Sequence, residues 1–163
     1  PVYQNIPFDI IKSTQVIFLS EMLLKILRQQ ESDPSLFDFI KNALLYFDLM
    51  ESHPAGFHVW FLLRLTEYLG FLPDTRKVGF EGWFDMRKGA VVPFEPSHPF
   101  FIQKEATAFL CRLAELKIGD LEHWKISRNM RSILTTKLIE YYKLHFENMG
   151  EVKSLKILQE LFE

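Results

Sequence analysis

Apolar residues recur at helical spacing along most of this chain, and the pattern breaks once, near its middle. From Pro7-Phe-Asp-Ile to about Gln30, the positions Ile10, Ile11, Val16, Leu19, Leu23, Leu24 and Leu27 form a broad stripe that predicts a helix. Asp33-Pro34 supplies a cap and a first-turn proline for a second helix to about Glu51. Its apolar set is Leu36, Phe37, Phe39, Ile40, Leu44, Leu45, Phe47 and Leu49, and His53-Pro54 breaks it. A third helix, from about Gly56 to Leu69, carries Phe57, Trp60, Phe61, Leu63, Leu65 and Tyr68, with Gly70 as its C-terminal glycine. Helical spacing resumes from about Gln103 to Leu116, and briefly from Asp120 to Ile126. Ser127 then caps a long helix to about Phe146, and a terminal helix is predicted from about Ser154 to Phe162.

The break runs from about residue 71 to 99. Counted from Gly70, it holds four of the seven glycines (Gly70, Gly79, Gly82, Gly89) and the prolines Pro73, Pro93, Pro96 and Pro99. Gly82-Trp-Phe-Asp-Met, a turn at Arg87-Lys-Gly89 and Ala-Val-Val-Pro93 predict a short β-hairpin. A lone hairpin is marginal in water, so this insert must lean on the helices. The expected architecture is a mainly α, bundle-like domain with a small β-hairpin insert.

At 163 residues, one domain is the expectation, large enough to bury its own core. Sixteen phenylalanines point to an aromatic-rich core rather than to a base-stacking platform. The chain begins at Pro1, which suggests a fragment of a longer protein. The apolar stretch Val16–Leu27 contains Glu21 and Lys25 and is too short to span a membrane, and no signal peptide is visible. A cytoplasmic setting fits. The single cysteine, Cys111, excludes an intrachain disulfide and a cysteine zinc site, and its apolar surroundings read as a buried, inert thiol.

Catalytic signatures are lacking. His53, His58, His98, His123 and His145 form no zinc-ligand spacing and read as surface or capping histidines. Gly79-Phe-Glu-Gly82 is too short for a phosphate loop, and Gly150-Glu-Val-Lys-Ser154 lacks the second glycine and the preceding strand. No serine elbow is present, and Glu81 with Asp85 reads as an ordinary solvated pair. No metal and no cofactor is expected.

Charge supplies the remaining signal. Net charge is only −2, against a dedicated nucleic-acid binder that uses its whole surface. Its distribution is uneven. Lys125–Lys156 carries seven cations against three anions, an excess of four positive charges, whereas Glu31–Glu51 carries five anions against Lys41. Arg128 and Arg131 stand in the first turn of their helix, where cations oppose the helix dipole. That mismatch points to a use, such as gripping phosphate or an acidic tail. A merely solvated face is the plain alternative.

The order of these features carries a resemblance. Phe-His-x-x-Phe-Leu-Leu-x-Leu-x-x-Tyr-Leu-Gly-Phe-x-Pro (Phe57 to Pro73), a small Gly/Pro-rich insert, Leu-Ile-Glu-Tyr-Tyr-Lys-Leu-His and Val-Lys-Ser-Leu-Lys-Ile-Leu together resemble the C-terminal region of the RecO recombination mediators, across essentially the whole chain. The most specific pieces are Tyr68-Leu-Gly-Phe-x-Pro73 and Lys153-Ser-Leu155. The resemblance implies a preceding oligonucleotide-binding barrel, absent from this chain. Many members of that family carry four zinc-binding cysteines in the insert. Here Leu72–Phe101 has none, so the zinc role is dropped, and Trp83, Phe84, Val91 and Phe94 are expected to hold a degenerate, finger-like insert by packing.

The resemblance further implies a non-enzymatic, nucleoid-associated DNA repair protein. Its partners would be single-stranded or duplex DNA, the acidic tail of the single-stranded-DNA-binding protein, and RecR, in recombinase loading and strand annealing. Candidate contacts to DNA or the tail are Arg128, Arg131, Lys137, Lys143, Lys153 and Lys156. The rivals are a protein-interaction scaffold without DNA contact, and a helical enzyme, which a buried polar cluster around His58 or His98 would favour.

Overall fold

The structure, a computed structural model, describes residues 2–28, 31–52, 54–76 and 81–161. The expected helix end at Gln30, the break at His53, Gly79 and the last turn at Phe162 lie outside the described residues. The expected helices form, with shifts at their ends. Pro7 does not open the first one. Ile6–Phe8 make a 3₁₀ turn, and α1 runs Ile10–Leu27 behind Asp9, whose carboxylate accepts the Ile11 and Lys12 N–H groups. Asp9 wins because its side chain satisfies two donors that open a helix and lack partners within it. Asp33 does the same for α2 (Pro34–Leu49).

Helix α3 (Phe57–Tyr68) is the centre of the molecule. Nine of its twelve residues are buried, from Phe57 through Leu63 and then Leu65 and Thr66. It packs against α1, α2, α4 (Lys104–Glu115) and α5 (Arg128–His145), so it is apolar all round rather than on one stripe. Phe47 stacks on Phe57 at 3.8 Å, and Phe39 leans on Phe61 at 5.1 Å, as an aromatic-rich core requires. The terminal helix α6 (Ser154–Leu161) lies on α1. The piece expected over 120–126 is instead a 3₁₀ turn, Ile118–Glu122.

The insert is a three-stranded antiparallel sheet in the order β2-β1-β3, with β1 Trp83–Asp85, β2 Ala90–Val92 and β3 Phe101–Ile102. The hairpin forms as expected, with Trp83 opposite Val92 and Asp85 opposite Ala90, so the turn between its strands runs 86–89, one residue longer than the expected Arg87–Gly89. Strand β3 was not anticipated, because two residues are too few to show a period. The sheet leans on α4: Thr107 Oγ1 accepts the Phe84 N–H and donates to the Ile102 carbonyl, both at 3.0 Å. Phe84 and Val91 are buried, as expected. Phe94 is a correction. It is 79% exposed in the loop beyond β2 and holds nothing.

Two of the sequence motifs interlock. Gly70 takes a φ of 83° and turns the chain after α3, which drops the Phe71 ring among Tyr141, Tyr142, His145 and Phe146. Tyr141 donates its hydroxyl to the Phe71 carbonyl at 2.8 Å, and Tyr142 donates to the Leu62 carbonyl at 2.7 Å.

Candidate anion-binding pocket

Helix α5 begins at Ser127, whose hydroxyl accepts the Met130 N–H at 3.2 Å. With about 100° between successive residues, Arg128, Arg131, Ser132 and Thr135 fall on one side of this helix. That side meets α3 and α6. The result is a cavity of about 260 Å³ lined by Arg128, Arg131, Ser132, Thr135, His58, Leu158 and Gln159. Arg128 is exposed at its rim, while Arg131 is only 7% exposed. Burial, with the positive Arg128 beside it, lowers the Arg131 pKa from its ordinary value. A guanidinium stays cationic at neutral pH all the same.

His58 corrects the expectation of surface and capping histidines. It is buried in the middle of α3, with Nδ1 2.9 Å from Gln15 Oε1 and Nε2 3.0 Å from Thr135 Oγ1. The Gln15 amide nitrogen is directed at the Ile11 and Pro54 carbonyls, so its oxygen faces the ring. An amide oxygen can only accept, which assigns the proton to Nδ1 and leaves Nε2 as the acceptor facing the Thr135 hydroxyl. Burial pushes the His58 pKa down to about 3, and the Arg131 charge adds to the shift. The ring is therefore neutral at pH 7. The buried polar cluster that would favour an enzyme is thus partly present. An imidazole with so low a pKa is a weak base, however, and its Nε2 is engaged by Thr135. Two guanidiniums, a threonine, a serine and a glutamine around a small cavity are better matched to holding an anion.

Of the other candidate cations, Lys156 lies on α6 near the cavity's Leu158 and Gln159, but its amine is 3.8 Å from Glu160. Lys137 sits about half a turn round α5 from Arg128 and pairs with Glu140 at 2.8 Å. Lys143 is exposed about four turns along α5 from Arg128, and Lys153 is exposed ahead of α6. The structure brings Arg128 and Arg131 together. It does not join all six cations into one track. No sequence signal marks Ser132, Thr135, Leu158 or Gln159, and His58 enters only under the rival enzyme reading. One signal was legible, since His58 interrupts an otherwise apolar run in α3.

The wall formed by α6 is held by Glu21. Its carboxylate accepts the Lys153 and Ser154 N–H groups at 3.0 and 2.8 Å and the Ser154 hydroxyl at 2.5 Å. Burial alone would raise the Glu21 pKa. The Ser154 and Lys153 hydrogen bonds, with Lys25 nearby, outweigh it and bring the carboxyl down to about 2. This is the structural content of Lys153-Ser-Leu155: the serine fastens α6 to α1.

The other histidine in question, His98, places Nε2 3.2 Å from Asp85 in the insert. Among the described residues no group of three His, Cys, Asp or Glu is placed to hold a metal ion. Cys111 is buried, and burial together with Glu115 raises its thiol pKa. Among the described residues no helix is long and apolar enough to cross a membrane.

The chain matches the family model for the C-terminal part of recombination protein O over residues 7–156. It is 35% identical over 161 residues to the DNA repair protein RecO of Flavobacterium johnsoniae, which covers 98% of this chain and 65% of that protein. With the RecO of Flavobacterium psychrophilum the identity is 33% over 160 residues, covering 98% and 66%. With that of Azobacteroides pseudotrichonymphae it is 31% over 153 residues, covering 94% and 64%. The chain thus spans just under two thirds of the length of these relatives. No solved structure matches it.

Proposed function

Because the chain belongs to the family of recombination protein O C-terminal regions, we propose that it is the helical part of a non-enzymatic DNA repair and recombination mediator that works by binding. The observation that carries this reading is the pairing of Arg128 and Arg131 over one cavity at the start of α5. Both cations oppose the helix dipole, and an anion seated between them would relieve that mismatch. Phosphates of single-stranded or duplex DNA supply such a group. So does the acidic tail of a single-stranded-DNA-binding protein, with Leu158 as the apolar floor for its end. Lys143, Lys153 and Lys156 extend the positive region outside the cavity, Lys137 adds to it from another side of α5, and RecR is a further partner in the same process.

A second reading is favoured by one observation. The cations do not form a continuous track, because Lys137 and Lys156 have acidic neighbours and Arg131 is enclosed. A protein-interaction scaffold, gripping a carboxylate-rich tail without touching DNA, suits that arrangement.

Titrating a fluorescent single strand and a fluorescent acidic tail peptide against the wild type and Arg128→Glu separates the two. The DNA-mediator reading expects the substitution to weaken both ligands. Loss of the peptide alone selects the scaffold. Unchanged affinity for both removes the pocket from the account.

A further inference from the structure

A second cavity, of about 410 Å³, opens where α2 meets α3 and the Ile118–Glu122 turn. Its chemistry is the inverse of the arginine pocket. Four aromatic rings wall it, those of Phe39, Tyr46, Trp60 and Tyr68, and the carboxylate of Asp38 stands at its edge. Phe39 stacks on Tyr68 at 4.6 Å and lies 6.3 Å from Trp60, so the rings form one wall rather than scattered contacts. Tyr46 and Tyr68 are 46% and 39% exposed, far more than rings of a finished core. The Trp60 indole N–H is already given to the Leu116 carbonyl at 3.0 Å, and the Arg64 guanidinium reaches the Ala114 and Leu116 carbonyls. The Trp60 N–H is therefore not left for a ligand, and the charged group that lines the cavity, Asp38, is an acceptor.

We propose that this cavity is a docking site for an arginine-bearing segment of a partner protein, stacked on the aromatic wall and paired with Asp38. Arginine is the side chain with flat, weakly hydrated faces and a fork of donors at its edge. It stacks on aromatic rings and pairs with carboxylates, and this cavity supplies both. Charge complementarity points the same way. Glu31–Glu51 carries five anions against one cation, and that cation, Lys41, lies about a third of a turn off the face of α2 that lines the cavity. Among the described residues Asp38 has no ion-pair partner. Helix α2 packs on α3, as α5 does, so one central helix would carry an anion site and a cation site on different flanking helices. The proposal does not rest on the DNA or tail reading, because no residue is shared between the two cavities.

The test uses the whole chain and one defined probe, a capped five-residue peptide alternating leucine with arginine. Its control carries citrulline, which keeps the shape of arginine and loses the charge. Trp60 lies in the wall, so tryptophan emission and amide shifts along α2 report binding. The expected result is saturable binding of the arginine peptide, about ten-fold or more weaker for the citrulline peptide and for Asp38→Asn. Tyr68→Ala should weaken it as well, and Arg128→Gln should leave it unchanged. Asp38 is a surface position, so Asp38→Asn keeps the fold and the experiment readable. Equal affinity for the two peptides would show an apolar groove only and overturn the proposal. Binding indifferent to both Asp38→Asn and Tyr68→Ala would overturn it, and so would no binding at millimolar peptide.

Discussion

His58 Nε2 lies 3.0 Å from the hydroxyl of Thr135, so the central helix is joined to the wall of the arginine pocket through one neutral imidazole. Thr135 also lies 2.8 Å from the Arg131 carbonyl, one turn back on α5. The one hydroxyl proton of Thr135 is shared between the His58 Nε2 and the Arg131 carbonyl, which ties the start of α5 to the core. The Arg131 charge is presented by a braced helix rather than by a loop.

The bracing has a pH signature. The His58 pKa is near 3 in the folded chain, against about 6.5 for an ordinary histidine. Below about pH 6.5 the unfolded chain takes up a proton that the folded chain refuses, so stability falls as pH falls from 6.5 towards 3. Chemical denaturation at pH 7 and pH 5 should show a loss in the wild type. His58→Gln should remove part of that pH dependence while lowering stability at pH 7. An identical loss in both proteins would contradict the assignment.

Glu21 acts in a second, lower window. Its folded pKa near 2 lies below the ordinary carboxylate value, so its contribution is present above about pH 4.5 and is lost as pH drops through 2. Glu21→Gln should destabilise the chain by about 1–3 kcal/mol at pH 7. Hydrogen exchange should quicken first at the start of α6, from Ser154. If α6 amides exchange as slowly in the variant as in the wild type, the clasp is not what holds that helix.

Gly89 and Tyr141 form a testable pair in the insert. Gly89 has a φ of 64°, and an added Cβ would sit 3.1 Å from the Tyr141 hydroxyl. Gly89→Ala should cost about 1–2 kcal/mol through backbone strain and crowding. Tyr141→Phe should cost about 1 kcal/mol by leaving the Phe71 carbonyl without its donor. In the double variant the crowding is relieved, so its loss should be smaller than the sum of the two single losses in a thermal unfolding cycle. Strict additivity would show that the hydroxyl and Gly89 do not meet.

The insert should be indifferent to zinc. Among the described residues it relies on Thr107, which satisfies Phe84 and Ile102, and on the buried Phe84 and Val91. A chelator should leave the unfolding temperature unchanged, while Thr107→Val should lower it. A fall in stability on adding a chelator would show a metal held by the chain.

Long elements were legible in the sequence because their period is repeated many times. The helices, their Asp33 and Ser127 caps and the presence of the hairpin have local causes, although Pro7 concealed the Asp9 cap and the true start of α1. The pocket was half legible. Arg128 and Arg131 stood out because charge at a helix start is conspicuous. His58 was named only for the rival enzyme, and Thr135 and Gln159 did not stand out, because the three meet only when α3, α5 and α6 pack, across sequence distances that no period records. The misplacement of Phe94 has the same origin. A large apolar residue beside a hairpin reads as core until the path of the loop is known.

The decisive experiment on the arginine pocket is the salt dependence of single-strand binding, read by anisotropy of a fluorescent oligothymidine with the wild type and with Arg128→Gln. The account predicts binding that weakens as salt rises. It also predicts a log–log slope about 0.7 shallower in the variant, the value of one phosphate contact on a single strand. An unchanged slope, or no binding at low salt, would contradict a phosphate-gripping role for this pocket.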